Sequence, residues 1–140
     1  MLLFKKKFLE AIRQGEKTQT IRLWKHCRMR SGQRSYIPGV GYIRVEAVEP
    51  VELERLEDRD ARPDGFATAE LLRCEIAQLY GDVQSAGYGA YRIVFRVLDA
   101  AEQESCRQER LERRQRDATS DERQRSAGTR RDREPAAKRP

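Results

Sequence analysis

The chain has 140 residues, 38% of them apolar and 37% charged, with a net charge of +6, which is room for one ordinary domain and not for two. His26 is the lone histidine, and Cys27, Cys74 and Cys106 lack metal-ligand spacing. This composition speaks against a Cys/His zinc site or a Ser-His-Asp triad and reads as free thiols in a reducing, cytoplasmic compartment.

Met1–Phe4 is apolar but gives way at once to Lys5-Lys6-Lys7, so it is not expected to be a secretory leader, and no apolar run approaches membrane-spanning length. Leu2–Phe4 reads as a short buried strand. It leads into a helix over Lys5–Gln14, with Phe8 and Ile12 at i,i+4 and Gly15 as the stop. Thr18–Trp24 is rich in β-branched residues and alternates, with Thr18, Thr20, Arg22 and Trp24 on one face. Lys25–Arg34 is a basic loop. Ser35–Ile37 and Tyr42–Val48 read as paired strands joined by the turn Pro38-Gly39-Val40-Gly41. Pro50–Leu56 is expected to continue the sheet, and Glu57–Gly65 to form an acidic loop. Thr68 is a candidate N-cap for a helix over Ala69–Tyr80, with Leu72, Ile76 and Leu79 along its inner stripe and Gly81 as terminator. Tyr88–Leu98 has the apolar alternation of a central strand.

Residues 99–140 hold 12 Lys/Arg and 10 Asp/Glu with Leu111 as their one large aliphatic side chain. Such a segment buries too little apolar surface to offset its ordering entropy. It is expected to be a largely disordered charged tail, helical around 102–116 where Glu and Arg pair at i,i+4. The expected fold class is therefore α+β over residues 1–98, a small curved sheet or partial barrel with two helices at its openings.

Charge within that domain is segregated. Residues 1–44 carry 11 Lys/Arg against Glu10 and Glu16, whereas residues 45–98 carry 6 against 11. A basic half attracts phosphate or another anion when the fold gathers its charges on one surface. The stretch Gly15-Glu16-Lys17-Thr18-Gln19-Thr20-Ile21-Arg22 is its centre. Gly15 lets the chain reverse with positive φ, Lys17 falls in the turn, and Thr20 and Arg22 share a strand face. An ammonium, hydroxyls and a guanidinium at one mouth suit a phosphate, a carboxylate or the polar edge of a base. The neighbouring basic loop, with Lys25, Arg28 and Arg30, and the nearby rings of Trp24 and Tyr42 suit a polynucleotide, supplying charge for the backbone and rings for stacking.

The pattern Gly-x-Lys-x-x-x-x-Arg, after an amphipathic helix and opening a strand, resembles the signature of the ASCH domain, a relative of the PUA fold that commonly handles RNA. The resemblance extends over Leu3–Gln14, over Arg30-Ser31-Gly32-Gln33 where members carry Gly-Asp, and over the closing helix and strand. Within the family, Lys17-Thr18-Gln19-Thr20-Ile21-Arg22 is similar to the Lys-Thr-x-Thr-Ile-Arg stretch of small bacterial acetylcytidine amidohydrolases. That resemblance implies Lys17 as general base, Thr20 as nucleophile and a carboxylate before the second helix. Asp64 occupies that position, one methylene shorter than the family's glutamate, with Glu70 as a fallback. The expectation is a monomeric protein that binds RNA or a nucleoside or nucleotide at Gly15, Lys17, Thr20 and Arg22, needing no metal or cofactor. An amidohydrolase or ribonuclease working in the same cleft is the alternative.

Overall fold

The computed structural model describes residues 1–131. The chain divides between Asp99 and Ala100 into two units, and each is described by itself.

In the first unit, four strands form one antiparallel sheet: β1 (Gln19–Trp24), β2 (Arg34–Ile37), β3 (Gly41–Val51) and β4 (Gly89–Val97), in the order β1-β4-β3-β2. The alternating Tyr91–Val97 segment lies in the middle, paired with β1 through Thr20↔Ile93 and with β3 through Val45↔Phe95. A register shift between Val45 and Ala47 leaves Glu46 as an extra residue and bends β3. The sheet has apolar side chains on both faces. Helix α1 (Lys6–Arg13) buries Ile12 with Leu2, Ile37, Ile43 and Phe95. Helix α3 (Ala69–Tyr80) buries Leu72 and Ile76 with Ile21, Leu23, Leu56, Ala61 and Ala90. The Thr68 hydroxyl caps α3 by accepting from the Leu71 amide at 3.2 Å.

Four expectations are corrected. Leu2–Phe4 is not a strand, although the Leu2 amide donates to the Tyr36 carbonyl at 3.0 Å. β3 ends at Val51, and Leu53–Arg55 is a 3-10 turn. Glu57–Gly65 is not a loop: it holds α2 (Asp58–Ala61) and a 3-10 turn over Arg62–Asp64. A reciprocal capping box between Glu57 and Asp60 starts α2, and the Asp58 carboxylate accepts from the Ala69 amide at 2.9 Å. Leu79, expected on the inner stripe of α3, is 52% exposed.

In the second unit, helix α4 spans Ala100–Arg131. The helical stretch expected around 102–116 belongs to this longer helix. Its Ala, Glu, Gln and Arg content favours helix locally, and pairs such as Arg107–Glu104 at 3.2 Å add support without an apolar face. Of the largely disordered tail expected over 99–140, Ala100–Arg131 is helical, and residues 132–140 lie outside the described residues. No described helix is long and apolar enough to cross a membrane.

Candidate functional site

The site is assembled from three segments. At the end of α1, Gly15 has φ +77°, and the amides of Glu16 and Lys17 both donate to the Ala11 carbonyl, at 2.9 and 3.1 Å. This turn sets Lys17 ahead of β1. The Thr18 amide then donates to the Pro63 carbonyl at 2.8 Å, docking the Arg62–Asp64 turn against the start of the strand. Gly65 closes that turn at φ +91°, a conformation L side chains avoid. As a result Asp64 faces Lys17 across 47 positions of sequence. Lys17 Nζ donates both to Asp64 Oδ1 and to the Asp64 main-chain carbonyl.

Both partners are 3% exposed. Burial lowers the Lys17 pKa and raises that of Asp64, while the attraction between the two opposes each shift. Nζ also lies over the rings of Phe4, Phe8 and Phe66, at 5.7, 4.9 and 5.8 Å from their centroids. The electron-rich ring faces replace part of the hydration the ammonium has lost. Among the described residues no hydrogen-bond partner meets the second, buried carboxylate oxygen, Asp64 Oδ2.

Thr20 and Arg22 share a face of β1, as their spacing predicts. Arg22 Nε donates to Thr20 Oγ1 at 3.2 Å and Arg22 Nη2 to the Leu3 carbonyl at 2.7 Å. The guanidinium packs over Phe4, 4.7 Å from its centroid. No hydrogen bond joins Lys17 to Thr20: Lys17 is held by Asp64, and the Thr20 hydroxyl is held by Arg22.

Lys17, Thr20, Arg22 and Asp64 nevertheless line one cavity of about 270 Å³, walled by Phe4, Phe8, Phe66 and Tyr80. This is close to the lower end of ligand pockets, roughly 300 Å³, and is scaled to a single ring system and its substituents. Glu75 also lines it, and sequence reasoning missed this residue, naming Glu70 instead. Glu75 accepts from Lys5 at 3.1 Å and Lys7 at 3.4 Å, and the bond from Lys5 is the main cause of its lowered pKa. The signal was available: Glu75 lies one turn from Leu72 and Leu79, so the three share one stripe of α3.

The remaining predicted residues lie elsewhere. Gly15 borders a second hollow with Arg13 and Arg96. Trp24 packs on Tyr91 at 5.9 Å, Lys25 lies over the Tyr88 ring at 5.7 Å, and Tyr42 meets Tyr36 edge-on at 5.1 Å. Arg28 and Arg30 flank a shallow surface hollow with Cys27 and Met29. None of these residues lines the Lys17 cavity. For the loop the reason is distance along the strand: β1 has six residues at about 3.3 Å each, so Lys25 lies some 20 Å from its start. Among the described residues no group of three or more His, Cys, Asp or Glu is arranged to hold a metal ion.

No protein-family model and no curated protein matches this chain. Solved structures do. A hypothetical protein, PH0355, aligns with a TM-score of 0.59 at 19% identity, over 69% of this chain and 95% of that one. A protein from Enterococcus faecalis V583, described by the family model DUF984, gives 0.54 at 16% identity, over 66% and 71%. An ASCH domain from Lactobacillus crispatus JV V101 gives 0.52 at 13% identity, over 64% and 69%. Likeness at these identities defines a fold. The first unit has an α+β fold like that of the ASCH domain structure.

Proposed function

We propose that this protein binds a nucleoside-like ligand in the Lys17 cavity, a planar polar ring seated among Phe4, Phe8, Phe66 and Tyr80. The observation that carries this reading is the convergence of Lys17, Thr20, Arg22 and Asp64 on one aromatic-walled space of about 270 Å³. Rings supply an apolar slot, and the few polar groups fix orientation and identity. The cavity, and not the Lys25–Arg34 loop, is the base site in this reading. Titration calorimetry with cytidine and acetylcytidine tests it. Saturable binding that Phe66→Ala weakens is expected; heat indistinguishable from dilution for both nucleosides would refute it.

A second reading, hydrolysis of an acylated base, is favoured by the desolvated Lys17 sharing the cavity with Thr20. Burial that lowers the Lys17 pKa raises the share of neutral amine, the form able to accept a proton. In this reading Nζ leaves Asp64 for the Thr20 hydroxyl and takes its proton as Oγ1 attacks the acyl carbonyl. The bond from the acyl carbon to the exocyclic nitrogen of the base breaks, that nitrogen leaves as the free amine with the proton, and water then frees acetate from the Thr20 ester. Acetate release from acetylcytidine that Lys17→Ala and Thr20→Val both abolish, with circular dichroism unchanged, is the expected result. Release that survives either change rules out the Lys/Thr route.

A further inference from the structure

We propose that helix α4 seats duplex DNA through an arginine band over Arg107–Arg116, a contact separate from the Lys17 cavity. Every residue from Arg107 to Gly128 is exposed, so this part of the helix turns no face to a core. A helix that is polar on all sides is ordinarily supported by ion pairs along its own surface. The arginines of the band are not used that way. Glu109 with Arg113 and Glu112 with Arg116 have the i,i+4 spacing in the favourable order. Yet among the described residues Arg110, Arg113, Arg114 and Arg116 make no ion pair, and Arg107 alone of the five is held, by Glu104 at 3.2 Å. Five arginines against two glutamates give the band a net charge of +3.

The length and shape of the band select the partner. With about 3.6 residues per turn, the five arginines fall on roughly half of the helix circumference, and Glu112 lies outside that half. Carboxylates bound the band at both ends, Glu102 and Glu104 before it and Asp117, Asp121 and Glu122 after it. A polyanion therefore meets it over about 15 Å of helix. The major groove of B-DNA is close to this, about 12 Å wide; it admits an α-helix and sets a phosphate backbone on either side of it. A half-cylinder of guanidinium groups reaches both backbones, and the planar fork of arginine matches a phosphate with two hydrogen bonds. Other polyanions fit less well. A membrane surface requires an apolar face, and Leu111 is the one large apolar side chain of the band. Single strands are held by stacking on aromatic rings, and α4 contains no Phe, Tyr or Trp. The major groove of duplex RNA is too deep and narrow for side chains to work in.

The test is fluorescence anisotropy of a fluorescein-labelled DNA duplex titrated with the full chain at several salt concentrations. Four phosphate contacts, from Arg110, Arg113, Arg114 and Arg116, give a slope of log affinity against log salt of about −3.6, or roughly a 150-fold loss between ~50 and ~200 mM salt. Arg110→Gln/Arg113→Gln/Arg114→Gln/Arg116→Gln keeps good helix formers at all four positions. It should bring the slope near zero and weaken the duplex at least about tenfold at ~50 mM salt, with circular dichroism unchanged. Arg110→Lys/Arg113→Lys/Arg114→Lys/Arg116→Lys keeps the charge and should keep the slope. A parent slope shallower than about −1, or a slope that the glutamine variant retains, would overturn the band as the contact. Duplex RNA or single-stranded DNA of the same sequence competing as well as the DNA duplex would overturn the groove seating. Displacement of the duplex by polyglutamate at equal charge would reassign the band to acidic proteins. No α4 residue lines the Lys17 cavity, so calorimetry with cytidine reads that site separately and a failure here leaves the base-site reading standing.

Discussion

Replacing Asp64 with Asn removes one charge from the buried pair and leaves Lys17 in place. Breaking a buried ion pair by neutralising one partner costs about 3–5 kcal/mol, because the other charge stays buried without compensation. Two features put Asp64→Asn at the low end. The main-chain carbonyl of residue 64 still accepts from Nζ, and three phenylalanine rings still face it. We therefore expect about 3 kcal/mol, which for a domain of this size lowers Tm by roughly 12–24 °C. The loss should also depend on pH. Lys17 titrates below its ordinary value of 10.5 in the folded protein, and Asp64 is what holds it up against burial. Without that carboxylate the folded pKa drops further. Between it and 10.5 the unfolded chain binds more protons than the folded one, so stability rises with pH. The slope approaches about 1.4 kcal/mol per pH unit. Urea unfolding of Asp64→Asn across the alkaline range should show this climb, and Lys17→Met/Asp64→Asn should not. Equal pH profiles for the two variants would refute the argument, since only Lys17 distinguishes them.

Two further outcomes follow from the same geometry. Lys25→Gln/Arg28→Gln/Arg30→Gln should leave cytidine affinity within about twofold by calorimetry, because none of these residues lines the cavity; a larger loss would bring the loop into the base site. Gly65→Ala should cost about 1–2 kcal/mol in urea unfolding, the ordinary penalty for left-handed backbone. By shifting the turn that carries Asp64 it should also weaken cytidine, and unchanged stability would mean that φ +91° at Gly65 is not required.

What could be read from the sequence was local, and what could not was set by docking between distant segments. Phe8 and Ile12, the Thr68 cap with its Leu72–Ile76 stripe, and the alternation through Tyr91–Val97 specify their elements because each signal repeats within one helix or strand. The pairing of Thr20 with Arg22 was legible for the same reason: two residues of one strand face need nothing else to bring them together. Lys17 with Asp64 is a different kind of fact. It depends on the Thr18 amide finding the Pro63 carbonyl and on a turn that reads, by composition, as a polar loop. Aligning Asp64 with a family carboxylate suggested the partnership, but not that it would hold Lys17 away from Thr20. Charge density misled for a related reason. Lys25, Arg28 and Arg30 are close to Lys17 in sequence, and β1 carries them to its far end, whereas Lys5 and Lys7 reach the cavity's rim through Glu75, some seventy positions away. A run of cations reports only that an anion is welcome somewhere. The packing of the elements decides where, and here it brings Lys5 and Lys7, at the start of α1, to Glu75 on the lining of the Lys17 cavity.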